Sequence, residues 1–195
     1  MGNRRLGRKR LYAVEKKGQK VSLAPGPGIS GSIIGAWQHR EGYNITTEIA
    51  VDLGATQSTV KSGNDDRDVI GVVAGGAAYL TQLTEAKYGV ITEVRAVVME
   101  APDSVADLDL EFGTDGDGVQ DAQDGTSPTS IMASINVVGE DTSKAYDANE
   151  LSDKYLYICQ GAADTAENFS AGKLLIYLYG FVTPDDKTDA GTAAA

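Results

Sequence analysis

Residues 43–53 read YNITTEIAVDL, and their alternation decides the fold. Ile45, Thr47, Ile49, Val51 and Leu53 fall on one side of an extended chain; Thr46, Glu48, Ala50 and Asp52 fall on the other. A period of two marks a half-buried strand, because successive side chains of an extended backbone point to opposite faces. The same period recurs further along the chain. Residues 87–100 (KYGVITEVRAVVME) gather Val90, Thr92, Val94, Ala96 and Val98 on one face. Residues 107–112 (DLDLEF) alternate strictly, with Leu108, Leu110 and Phe112 expected inward and Asp107, Asp109 and Glu111 outward. Residues 32–38, 69–74, 77–83, 131–138, 155–160 and 173–182 complete a set of about eight or nine strands separated by turn residues. Residues 152–157 are the nearest approach to a helix start, but Tyr155-Leu156-Tyr157-Ile158 favours a strand. Strands without intervening helices predict an all-β fold, an antiparallel β-sandwich of jelly-roll type with two sheets of about four strands each.

At 195 residues the chain suits one domain with tails. Its single cysteine, Cys159, excludes an intramolecular disulfide framework, which suits a reducing compartment or a fold indifferent to redox. No apolar run approaches the ~20 residues of a membrane-spanning helix, so no membrane partner is expected. A secretory signal is not expected either, because the apolar residues 11–14 run directly into Glu15-Lys16-Lys17.

Charge divides the chain unevenly. Residues 1–20 hold eight bases against one acid, a net of +7, and the remaining residues hold nine bases and 27 acids, a net of −18. The overall −11 conceals this split. A like-charge block of that density repels itself, so residues 1–23 read as an extended basic N-terminal arm. Residues 24–32 (APGPGISGS) read as a hinge, since Pro25 and Pro27 with three glycines are expected neither to continue a helix nor to join a ladder. Residues 33–183 form the expected sandwich and residues 184–195 a flexible polar tail. In the arm, Arg4, Arg5, Arg8, Lys9 and Arg10 would carry electrostatic docking, and Leu6, Leu11, Tyr12 and Val14 apolar docking. Nucleic acid is one target for such an arm. Its mixture of apolar and basic residues favours an acidic protein surface instead, including the body of another copy.

The catalytic inventory is thin, and no enzymatic activity is expected. His39 is the single histidine, at a strand end running into a charged turn, and Cys159 reads as a small buried apolar residue. The run GVVAGG at 71–76 lacks the Lys-Ser/Thr that a phosphate-binding loop requires. The stretch GTDGDGVQDAQD at 113–124 offers Asp115, Asp117, Asp121 and Asp124, oxygen ligands of the kind calcium takes. It resembles the aspartate-glycine calcium loops of thrombospondin type 3 repeats, but Gly113 stands at the first ligand position and no second copy follows. A solvated acidic turn accounts for the same residues, and otherwise no cofactor is expected. Tyr155 with Tyr157, and Tyr177 with Tyr179, form two pairs at strand spacing. Core or inter-subunit packing is expected for both, because a nucleobase platform wants basic neighbours.

The opening MGNRRLGRKRL, the Gly-rich stretch, REGYNITTEIAVDLG, KYGVITEVRAVVMEA and the closing AGKLLIYLYGF resemble a group of small structural proteins of marine tailed bacteriophages. The resemblance spans most of the chain and weakens across residues 113–139. It implies a virion component made in the host cytoplasm, a capsid decoration or cement protein on the capsid surface. Its partners would be the major capsid protein or neighbouring virion subunits; homo-oligomerisation is also expected, with a trimer at a symmetry axis one arrangement. Three alternatives remain open at this stage. They are a head–tail or tail component, a shell-forming jelly-roll capsid protein whose arm faces nucleic acid, and a calcium-dependent carbohydrate-binding module.

Overall fold

The computed structural model describes residues 18–55, 59–103, 107–122, 131–132, 135, 141–147 and 150–183. The described chain is all-β and antiparallel. Its strands are β1 (Gln19–Lys20), β2 (Ile33–Glu41), β3 (Asn44–Asp52), β4 (Val60–Lys61), β5 (Gly71–Val72), β6 (Thr81–Gln82), β7 (Val90–Glu100), β8 (Leu108–Gly113), β9 (Ile131–Met132), β10 (Asp141–Ala145), β11 (Tyr155–Gln160) and β12 (Lys173–Phe181). One helical turn, α1 (Glu85–Tyr88), precedes β7. The large sheet runs β1-β2-β3-β12-β7-β10, the smaller one β6-β11-β8-β9, and β4 pairs with β5.

Alternation places the core between the sheets. In β3 and just beyond it, Ile45, Thr47, Ile49, Val51 and Leu53 are all buried, as the opening stretch predicts. Leu174, Ile176 and Leu178 of β12 join them, facing Leu108, Leu110, Phe112, Leu156 and Ile158 of the smaller sheet in one apolar cluster. Val94, Ala96 and Val98 of β7 also point inward, whereas Thr92 is only half-buried. The β12–β7 register explains this: Tyr179 pairs with Glu93 and Gly180 with Ile91, so Thr92 is bulged out of the ladder. Similar shifts skip Met99 in β7 and Ile34 in β2, which is why these two large apolar residues are exposed.

Two expectations change. Asp109 and Glu111 do not face solvent: both are buried, because the loops at 62–70 and 113–122 cover the outer side of β8 and β11. Alternation correctly separates the faces of β8, but it cannot reveal a loop folding back over the polar one. Residues 24–32 also differ from a free hinge. Gly26 N–H donates to Tyr79 O at 2.9 Å, Gly28 N–H to Ala77 O at 2.8 Å, and Val72 N–H to Gly28 O at 2.8 Å. Leu23 and Ile29 are buried in the core. Proline does not block this pairing, because alternate N–H groups of an extended chain point to opposite sides. The ladder uses those of Gly26 and Gly28, and the prolines occupy the positions between.

A Cβ at Gly26 would sit 2.2 Å from Ala77 O, a backbone atom that no rotamer change can move. Gly26→Ala is therefore expected to lift this strap and cost about 2–3 kcal/mol. Urea unfolding checks it, and an unchanged midpoint would show that the strap carries no stability.

Tyr88, at the end of α1, is 1% exposed, and its hydroxyl lies 2.7 Å from Thr81 Oγ1, which donates to Leu23 O at 2.9 Å. Burial pushes the Tyr88 hydroxyl up to about 12, with the Thr81 hydrogen bond opposing. A phenol whose folded value lies above its unfolded value of ~10 stabilises the fold fully below pH ~10 and loses that contribution as pH rises to about 12. The expected loss across that window is about 2–3 kcal/mol. It is read as a falling urea midpoint that Tyr88→Phe flattens; an equally steep fall in Tyr88→Phe would assign the loss to another group.

Candidate binding surfaces

The arm residues Arg4, Arg5, Leu6, Arg8, Lys9, Arg10, Leu11, Tyr12 and Val14 lie outside the described residues, as does Asp124. The structure does show where the chain enters the sandwich. Gln19 pairs with Gln38 and Lys20 with Trp37, so β1 is an edge strand of the large sheet. Gly18, with φ +69°, packs against the Gln38 carbonyl next to His39. Residues 18–23, assigned to the arm by charge, thus begin the sheet.

The described part of the acidic loop, residues 113–122, is held by tyrosine through its backbone and by an asparagine on a neighbouring loop. Tyr157 Oη donates to Asp115 O at 2.6 Å and accepts from Gly118 N–H at 3.3 Å. Asp121 Oδ1 accepts from the backbone N–H of Asn64 at 2.9 Å and from its Nδ2 at 2.6 Å. Asp115 and Asp117 are exposed. Among the described residues no three acidic, histidine or cysteine side chains form a metal-holding group.

What charge counting missed lies beneath that loop. Arg67 Nε donates to Glu111 Oε1 at 2.6 Å, with the Glu111 side chain 1% exposed and that of Arg67 33%. Asp68 Oδ2 accepts from the backbone N–H groups of Asn64 and Asp65 at 3.0 and 2.8 Å. These bonds fasten one loop to the sheet, and Asn64–Asp121 ties the second loop to the first. The only sequence signal for it was the lone basic residue in NDDRD at 64–68. His39 is exposed on the large sheet and Cys159 fully buried in the smaller one, so a Cys-His pair has no geometry here.

The outer face of the large sheet carries an aromatic array. Strand register sets Trp37, Glu48, Tyr177 and Arg95 side by side on β2, β3, β12 and β7. The next row holds His39, Thr46, Tyr179 and Glu93. Tyr157 is core, as expected of the first tyrosine pair, but Tyr177 and Tyr179 stand half-buried on this outer face. Their rings are nearly parallel (19°) with centroids 6.3 Å apart, and the Arg95 guanidinium lies 5.5 Å from the Tyr177 centroid. Burial, and after it the neighbouring Glu48 carboxylate, holds the Tyr177 hydroxyl above the usual phenol range. Trp37 lies across Gly35, where a Cβ would come within 2.9 Å of the indole, so glycine lets the ring lie against the sheet. Beyond Tyr179 the face dips into an open depression of about 330 Å³, lined by His39, Glu41, Asn44, Thr46, Glu93 and Phe181 among others.

No helix among the described residues is long and apolar enough to cross a membrane. No family model matches the chain, and no curated protein matches it. A solved structure described as "BiXyn10A CBM1 APO" aligns with 82% of this chain and 97% of that chain, at 10% identity and a TM-score of 0.26. A likeness that loose carries no argument about fold or function.

Proposed function

We propose that this chain is a bacteriophage virion structural protein, a capsid decoration (cement) protein that binds and stabilises the major capsid shell. The observation that carries this reading is the junction at Gly18. A strongly basic segment joins an acidic sandwich through an edge strand, so a repeated subunit would hold its arm beside a broad sheet face. In this reading the sandwich is of jelly-roll type, the subunit oligomerises, and the arm straps onto neighbouring acidic protein rather than nucleic acid. The phage-like strings supply the virion context.

Because β1 belongs to the sheet, the informative deletion is residues 1–17, which leaves Gln19 and Lys20 in place. The seven bases this removes, at about 0.3 kcal/mol each, make the expected loss of capsid affinity roughly thirtyfold at low salt, shrinking as salt rises. Co-sedimentation with preformed capsids over a salt series measures it. Equal binding by the truncated and full chains at every salt concentration would remove the arm as anchor. Formation of shells by this chain alone would replace decoration with a shell-forming role.

A further inference from the structure

We propose that the outer face of the large sheet is a carbohydrate-binding site, taking the pyranose rings of a neutral glycan over Trp37, Tyr177 and Tyr179 and into the adjoining depression. The argument starts from the residues at the surface. A sugar ring presents apolar C–H faces and a rim of hydroxyls that both donate and accept. It therefore needs aromatic area beside mixed polar groups, which few other ligands need together. Here the indole of Trp37 is laid against the sheet by Gly35, and two near-parallel phenol rings stand two strands away. The depression next to Tyr179 supplies carboxylate acceptors (Glu41, Glu93), groups that donate and accept (Asn44, Thr46) and a ring nitrogen (His39). Its volume, about 330 Å³, lies within the range of small-molecule sites.

Other chemistries fit this lining less well. An anion would meet three carboxylates, Glu41, Glu48 and Glu93, against the one guanidinium of Arg95, and a purely apolar ligand would strip water from the same carboxylates. A single cation needs converging acids. Glu41 lies on β2 and Glu93 on β7, three strand spacings apart, roughly 14 Å between backbones, so they flank the depression rather than meet in it. The same separation suits a ligand with hydroxyls on both edges. Asp115, Asp117 and Asp121 belong to the loop over the smaller sheet and not to this face, so binding here is independent of calcium.

The test uses the full chain in native affinity gels containing soluble neutral polysaccharides: a xylan, a β-glucan, a mannan and a galactan, each with and without EDTA. Retardation by at least one of them, unchanged by EDTA, is expected. Tyr179→Ala and Trp37→Ala should each weaken it about tenfold or more with near-native melting. Glu93→Gln, a substitution that preserves shape, should weaken it several-fold and guards against misfolding of the larger truncations. Capsid co-sedimentation of the same variants should not change, which separates failure of this proposal from failure of the decoration reading. No retardation by any polysaccharide, retardation that the three variants leave intact, or retardation abolished by EDTA would overturn the proposal. So would loss of capsid binding in these variants without sugar binding, since the face would then be a protein-docking surface.

Discussion

Phe112→Ala is expected to lower stability by about 3–5 kcal/mol, the usual range for truncating a fully buried phenylalanine. Phe112 is 0% exposed, stands on β8 beside Leu156 of β11, and faces the interior between the two sheets. Its ring meets Tyr146 edge-on, with centroids 5.5 Å apart and planes at 78°. That contact adds about 0.5–1.5 kcal/mol beyond the area buried. The sheets are held apart by their other side chains, so the space left behind cannot collapse fully. At roughly 2–4 °C per kcal/mol for a domain of this size, the melting temperature should fall by about 6–20 °C. Calorimetry reads this directly. A drop under about 3 °C would mean that the two sheets are not packed through β8.

Arg67→Ala should be the most damaging change to a charged residue, at about 3 kcal/mol. Breaking a buried pair from one side usually costs about 3–5 kcal/mol because the remaining charge stays desolvated. The lower end applies because Arg67 is one-third exposed, so water can partly replace its guanidinium, whereas Glu111 is enclosed. Replacing both partners with apolar groups, Arg67→Met with Glu111→Met, should recover most of the loss, since a buried pair contributes little over well-packed apolar residues. A double-mutant cycle by urea unfolding separates the two. If the double variant is as unstable as Arg67→Ala alone, the arginine acts by packing and not by neutralising Glu111. Either outcome locates the fastening of the 62–70 loop, to which Asn64 in turn ties Asp121 of the acidic loop.

The sandwich was legible because its signal is local. In residues 43–53, and in Leu108-Asp109-Leu110-Glu111-Phe112, one face of each strand must leave water, and a period of two records that requirement wherever it occurs. Exposure of His39 followed from its place at a strand end beside a charged turn; Cys159 is buried as its small apolar side chain suggested, but on the loop-covered face opposite Asp109. The fate of the second face is not local. Glu111 and Tyr177 both occupy the non-core face of their strands, yet a loop from residues 62–70 covers the first while the second stays half-open. Nothing within either strand distinguishes them; only the path of distant chain does.

The same division holds for the segments flanking the strands. Proline and glycine at 25–28 excluded a helix but read as a hinge rather than a paired strand, and charge density set residues 1–20 apart from the body. That Gly26 and Gly28 would find carbonyls at 77–79, and that the basic segment would enter a sheet at Gln19, depended on partners some 50 and 20 residues away. By itself, the sequence determined the strand periods, the inward residues and the charge asymmetry, because each follows from how neighbouring residues meet water. Strand order, the covering loops and the row of Trp37, Tyr177 and Tyr179 were decided only by the tertiary structure. Those features come from register between strands far apart in the chain, and no single stretch of residues encodes that register.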